Sequence, residues 1–256
     1  VRGILVFLLF FLLPSTPPVS AAPPGARKVK EGFRLYREGK YRDALRSFQS
    51  AFDAGFRDGR LEYDMGNCWW RLGDKARALV HYERARAWMP RDPDVLANIR
   101  LCRKALGVDS SPTVPFLTSL AQALSAFTLG ELLALAAAFS VLCSALLALH
   151  TVFGKPILAW SAAAAALALL LFGGQALGRV LDGRRYALVT VDEAGLLSEP
   201  REGLSPLATL KAGLEVRVLG GEGSWTKVEV EGRKGWLPVK DLGFLDWREE
   251  AFREGG

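Results

Sequence analysis

Few side chains here are of the types that make or break bonds, and those few stand far apart. There are two histidines, His81 and His150, and three cysteines, Cys68, Cys102 and Cys143. Nucleophilic catalysis needs a base within hydrogen-bonding reach of the nucleophile and a third group to orient it. His81 falls inside a helical pattern and His150 at the edge of an apolar run, so neither is set beside such partners. No CxxC pair, no zinc-type Cys/His spacing and no glycine-rich phosphate loop occurs. Glu249 and Glu250 stand in a charged tail. The sequence therefore reads as a non-enzyme with no metal and no cofactor. Recognition chemistry is better represented. At the spacing i, i+4, i+7, i+8 stand Val29, Phe33, Tyr36 and Arg37, then Tyr63, Asn67, Trp70 and Arg71, with Lys104 further on. That spacing places side chains on one helical face. Aromatic rings beside fixed cations suit an extended or helical peptide bearing acidic groups. The alternative for Phe33 and Trp70 is that they only complete a core.

The elements that carry this face belong to an internal repeat. Gly32 aligns with Gly66, Gly39 with Gly73, Ala44 with Ala78, Phe48 with Tyr82 and Ala51 with Ala85, each pair 34 residues apart. Gly66 and Ala78 stand where two helices would cross, and Tyr82 and Phe48 fill the space left between. The pattern resembles the tetratricopeptide (TPR) family over residues 25–106, with Pro93–Leu106 as a closing helix. The resemblance implies that the Phe33 and Trp70 faces line a concave groove, and that Asn67 binds peptide backbone. Lys28 and Glu62 depart from it, since both occupy a slot usually held by a large apolar residue. Cys68 and Cys102 fall at equivalent places on neighbouring helices roughly 8–10 Å apart, too far for a disulfide, and read as small packing residues.

Two apolar segments, 128–149 and 156–178, are long enough to cross a bilayer as helices, and neither holds a Lys or Arg. They predict a membrane hairpin, with the soluble parts on either side of it in sequence lying on one face of the membrane. Residues 1–21 have the charged start, short apolar run and small-residue cleavage site of a secretory signal. Residues 107–127 read as a linker followed by an interfacial helix. Arg179, Arg184 and Arg185 after the second span would be cytoplasmic by the positive-inside rule. The signal instead places them outside, and we follow the signal. Residues 25–107 carry a net charge of +8 and residues 184–256 one of −2. A basic domain in an exported chain points to acidic protein or anionic lipid rather than nucleic acid.

Beyond Arg185 the period changes to that of strands: Tyr186–Val191, Glu215–Gly220 and Trp225–Val230 alternate, with glycine-rich turns between. Over residues 185–245 the chain resembles the bacterial SH3 family, through Gly213, Trp225, Gly235, Trp236, Asp241 and Leu242. That implies a small all-β barrel, followed by a tail at 246–256. Trp225 and Trp236 are either core or a ligand platform. The fold class expected is thus a multidomain membrane protein with an all-α tetratricopeptide stack, a two-helix transmembrane hairpin and an all-β SH3-like barrel. This order resembles the BatE-like proteins of the Bat aerotolerance operon family. The resemblance implies a membrane-anchored adaptor of the bacterial inner membrane, with its soluble domains periplasmic. Its partners would be envelope or membrane proteins, von Willebrand A-domain Bat proteins among them. A peptidoglycan-binding envelope sensor is the alternative.

Overall fold

The computed structural model describes residues 25–108, 127–181 and 185–246. The expected signal, most of the expected linker and interfacial helix, and all of the tail but Asp246 lie outside the described residues. The protein combines helices and antiparallel strands, and divides into two compact units between Arg57 and Asp58.

In the first unit, α1 (Ala26–Arg37) and α2 (Tyr41–Asp53) form a helical hairpin. The turn between them needs Gly39 at φ 76°, a left-handed conformation that a Cβ disfavours. Phe48, fully buried, lies across Gly32, where an added Cβ would come within 2.5 Å of the ring Cδ1. Glycine there is what lets the helices close on the aromatic ring. Phe33 meets the same ring edge-on at 5.5 Å, and Ser47 donates to the Lys28 carbonyl at 3.0 Å.

The second unit opens with α3 (Gly59–Arg71), α4 (Lys75–Trp88) and α5 (Pro93–Leu106). Each begins after an aspartate, Asp58, Asp74 or Asp92, whose carboxylate accepts first-turn backbone N–H groups. Gly66 meets Tyr82 as Gly32 meets Phe48, with an added Cβ only 2.7 Å from the ring. The 34-residue spacing therefore corresponds to a repeated packing contact. Two long helices follow, α6 (Leu129–Phe153) and α7 (Pro156–Leu181). Both contain stretches long and apolar enough to cross a membrane, Leu129–Phe153 at mean hydropathy 2.5 and Pro156–Gly178 at 2.0. Thr128 and Glu131 start α6 with a reciprocal capping box. The first helix runs four residues past the expected end at 149. The turn shrinks to Gly154 and Lys155, with Gly154 at φ 63°. The helices pack through Phe139 stacked on Phe172 at 5.7 Å and through Cys143, whose thiol points to the Ala162 carbonyl at 3.5 Å.

The strands are β1 (Arg185–Val189), β2 (Glu193–Leu196), β3 (Ala208–Lys211), β4 (Glu215–Glu222), β5 (Trp225–Val230), β6 (Arg233–Pro238) and β7 (Leu242–Phe244). They form an antiparallel five-stranded sheet in the order β6-β5-β4-β1-β7 and a separate β2-β3 pair. The tight β5–β6 turn uses Glu231 at φ 50° and Gly232 at φ 78°, both left-handed as a two-residue hairpin requires. Where a small barrel was expected, the described strands form an open five-stranded sheet with a hairpin against it, and no closed barrel. Pro238 ends β6, since it has no N–H to extend a ladder, and β7 is only three residues long. The β2–β3 pair joins the sheet through a single bridge, Leu197 to Trp236, with bonds of 2.9 and 2.8 Å. It fits closely because an added Cβ at Gly235 would stand 2.6 Å from Leu196 Cγ.

The helices and the sheet of this unit share a core, which the sequence reading, with its separate domains, did not anticipate. Leu188 of β1 is buried in one cluster with Leu79, Val80 and Tyr82 of α4 and Ile99 and Cys102 of α5. Gly243 of β7 sits against Val80. Arg84, buried, donates from Nε to the Phe244 carbonyl at 2.8 Å.

Candidate functional site

The eight residues expected to form a peptide-binding face divide between the two units. Phe33, Tyr36 and Arg37 lie in the first. Phe33 is 40% exposed despite its contact with Phe48. Tyr36 is half-buried and meets Tyr41 edge-on at 5.3 Å, while Arg37 is exposed. This helix thus carries the Phe33 and Tyr36 rings, each braced by a ring of α2, with Arg37 among its exposed cations.

Tyr63, Asn67, Trp70, Arg71 and Lys104 lie in the second unit, and the structure gathers the first three. The Tyr63 ring stands 5.6 Å from that of Tyr82, and its hydroxyl accepts from Asn98 Nδ2 at 3.2 Å. Tyr82 donates its hydroxyl proton to Asn67 Oδ1 at 2.9 Å. Asn67, expected from the resemblance to bind a peptide backbone, is therefore already engaged inside the fold through that oxygen. Trp70 is half-buried against the core that Leu79 and Tyr82 share. It thus helps to finish the core while part of its surface stays accessible. Arg71 and Lys104 are exposed.

The electrostatics of α3 add a residue that the sequence reading passed over. Burial carries the Asp64 carboxyl up to about 6, against the pull of the Arg60 cation and a hydrogen bond from Asn67. Burial also raises the Tyr63 phenol, with the Asp94 charge adding to it. Opposite them, Glu62 Oε2 lies 2.7 Å from His81 Nδ1, and both side chains are largely buried. A signal for this pair was present, because Glu62 fills a slot where the repeat calls for a large apolar side chain. The partner, 19 residues away on the next helix, became visible only once the hairpin was built. Among the described residues no group of three or more His, Cys, Asp and Glu side chains is placed to hold a metal. Cys68 and Cys102 are free and fully buried, with thiols pushed up to about 12 by burial.

A second charged cluster lies where the helices meet the sheet. Glu83, with its side chain 2% exposed, accepts from Arg103 at 2.8 Å and has the Arg86 guanidinium at the same distance, off the hydrogen-bond axis. A buried carboxylate with two arginines is a structural clamp rather than a docking face, since its charge is answered within the fold.

On the sheet, a cleft of about 560 Å³ is lined by Glu202, Gly223, Ser224, Trp225, Pro238, Val239 and Lys240. Trp225 is half-buried there, between an acidic and a basic side chain. Trp236 is also half-buried, with the Lys227 ammonium 5.6 Å from the centre of its ring. Trp225 thus lines this cleft.

No protein-family model matches this chain, and no curated protein matches it. Among solved structures it is similar to a chain from the crystal structure of a T3SS complex from Aeromonas hydrophila. The identity is 19%, the match covers 68% of this chain and 97% of the other, and the TM-score is 0.33, too slight to define a shared fold.

Proposed function

We propose that this chain is a non-enzymatic, membrane-anchored adaptor of the bacterial envelope, which binds partner proteins through tetratricopeptide-like helices. Its soluble parts lie on the periplasmic side of the inner membrane. The observation that carries the reading is the pairing of solvent-facing aromatics and cations on the first helix of each repeat with two helices of membrane-spanning length. Phe33 with the exposed Arg37 on one unit, and Trp70 with the exposed Arg71 on the other, each pair an aromatic with a cation, which suits an acidic peptide. The matched contacts of Gly32 with Phe48 and Gly66 with Tyr82 support the tetratricopeptide reading. The order of modules supports placing the chain with BatE-like proteins, and so beside von Willebrand A-domain membrane proteins.

The test is capture of membrane proteins by the detergent-solubilised full chain, followed by mass spectrometry. Arg71→Glu should lose the specific partner while leaving the fold intact. Trp70→Ala should weaken capture about thirtyfold or more, as a central interface aromatic does. Retention of the same partners by both variants would overturn the groove. The second reading, a cell-wall sensor, is favoured by the cleft at Trp225. Sedimentation with purified peptidoglycan sacculi, lost in Trp225→Ala and kept in Arg71→Glu, would select it.

A further inference from the structure

The corner between α4 and α5 carries an exposed aromatic that neither the repeat nor the sheet uses. Trp88, the last residue of α4, is 49% exposed, with its base against Gly59. Three residues later Arg91 forms an ion pair with Glu131, in the first turn of α6, and lies 5.7 Å over the ring of Phe127. These contacts set the height of the corner. Glu131 marks the level at which the first apolar helix begins, which for a spanning helix is the boundary between headgroups and hydrocarbon. Three residues of chain reach at most about 10 Å, and the Arg91 and Glu131 side chains span the remaining distance, so Trp88 lies on the headgroup side of that boundary. Arg60, exposed and next in sequence to Gly59, adds a positive charge near it, and Arg91, paired with Glu131, follows three residues on. An indole that is apolar across its face and donates one N–H, set beside arginines, matches the headgroup layer, where tryptophan gathers in membrane proteins.

We infer that the α4–α5 corner is a membrane-interface anchor, in which Trp88 seats among the phospholipid headgroups of the bilayer that α6 and α7 span. The inference rests on the membrane-hairpin reading. It goes beyond that reading by giving the soluble helices a lipid contact of their own. Together with the Arg91–Glu131 pair, the anchor limits how far the helical body can tilt from the membrane surface.

The experiment uses the full chain in phospholipid vesicles containing lipids brominated either near the headgroup or near the chain ends. Tryptophan emission is compared between the unmodified chain, Trp88→Phe and Trp160→Phe. Trp160, 74% exposed on α7, reports whether the hairpin is in the bilayer at all. Emission assigned to Trp88 by difference should fall by roughly half or more with the shallow bromines, as expected of a ring at headgroup depth, and less with the deep ones. If Trp160 is quenched and Trp88 is not, the anchor is refuted while the hairpin stands. If neither is quenched, the hairpin reading fails and takes the anchor with it. A measurement on the unmodified chain guards against misfolding of Trp88→Phe. Carbene released from a photoactivatable phospholipid should label the tryptic peptide Ala87–Arg91, and labelling of α6 and α7 without that peptide would overturn the proposal.

Discussion

Placing a methyl group at Gly243 tests whether the helices and the sheet of the second unit share a core. The Cβ of Gly243→Ala would overlap Val80 Cγ2 and stand 3.1 Å from Val80 Cγ1 and from Thr190 Cγ2. Neither side can yield cheaply. Val80 is 4% exposed and branched at Cβ, so its rotamer is nearly fixed by the helix. β7 is held in register with β1 through Leu188 opposite Gly243 and Ala187 opposite Phe244, and Arg84 grips the Phe244 carbonyl. Forcing a methyl into such a site costs about 1–3 kcal/mol. Val80→Ala removes two buried methyls, about 0.8 kcal/mol each, and leaves a cavity, for about 2 kcal/mol in all. In the double variant the new methyl occupies the vacated space, so the two losses should fall short of additivity by about 1 kcal/mol or more. Hydrogen exchange of the full chain in lipid nanodiscs reads this directly. If α4 and β7 open together, amides of both should exchange roughly 5- to 150-fold faster in Gly243→Ala, the range that follows from 1–3 kcal/mol. Unchanged exchange in both elements, or strict additivity in the double variant, would refute the shared core.

A pH dependence follows from Asp64. Its carboxyl is at about 6 in the folded chain against a reference of 3.8, because burial disfavours the charge. Folding therefore takes up a proton between these values. Stability from this group is full below about pH 4, declines as pH rises to about 6, and stays lower above it. Asp64→Asn should flatten that decline and raise stability at pH 7 by about 1–3 kcal/mol, measured by urea unfolding at several pH values. A variant that keeps the slope would show that the proton goes elsewhere. The thiols of Cys68 and Cys102, fully buried and at about 12, should resist maleimide at pH 8 in the native chain and react only on unfolding, as mapped by mass spectrometry. Rapid native labelling of either would contradict their burial.

Local pattern was enough for much of this fold. The 34-residue recurrence located the glycine and aromatic pairs that close each helical hairpin, because a helix crossing fixes which residue types can stand there. The apolar runs located α6 and α7 to within a few residues. They missed its last turn because His150 and Thr151 read as polar, although a helix can carry both at its end. The Trp225–Val230 strand was legible from its alternation. β2 and β3 were not, being four residues each, with Gly195 inside β2. The candidate face was legible as a spacing but not as a set of contacts. Nothing along α3 alone says that Asn67 will accept from Tyr82, or that Glu62 will meet His81, since both partners lie on another helix. The helix–sheet core is harder still, because its two sides are separated by both apolar helices.

That separation bears on how the protein is made. Arg84 and the carbonyl it holds are 160 residues apart, so at about 5–20 residues per second the ribosome delivers Phe244 roughly 8–30 s after Arg84. Folding of a helical hairpin is complete long before that. For those seconds α4 stands with Val80 uncovered and Arg84 without its carbonyl. On the membrane-hairpin reading, α6 and α7 then bring residues distant in sequence back to one face and remove most of the loop-closure cost. A nascent chain stalled within α7 would leave that apolar strip exposed to chaperones or proteases. Completion of the sheet is thus the step that conceals it.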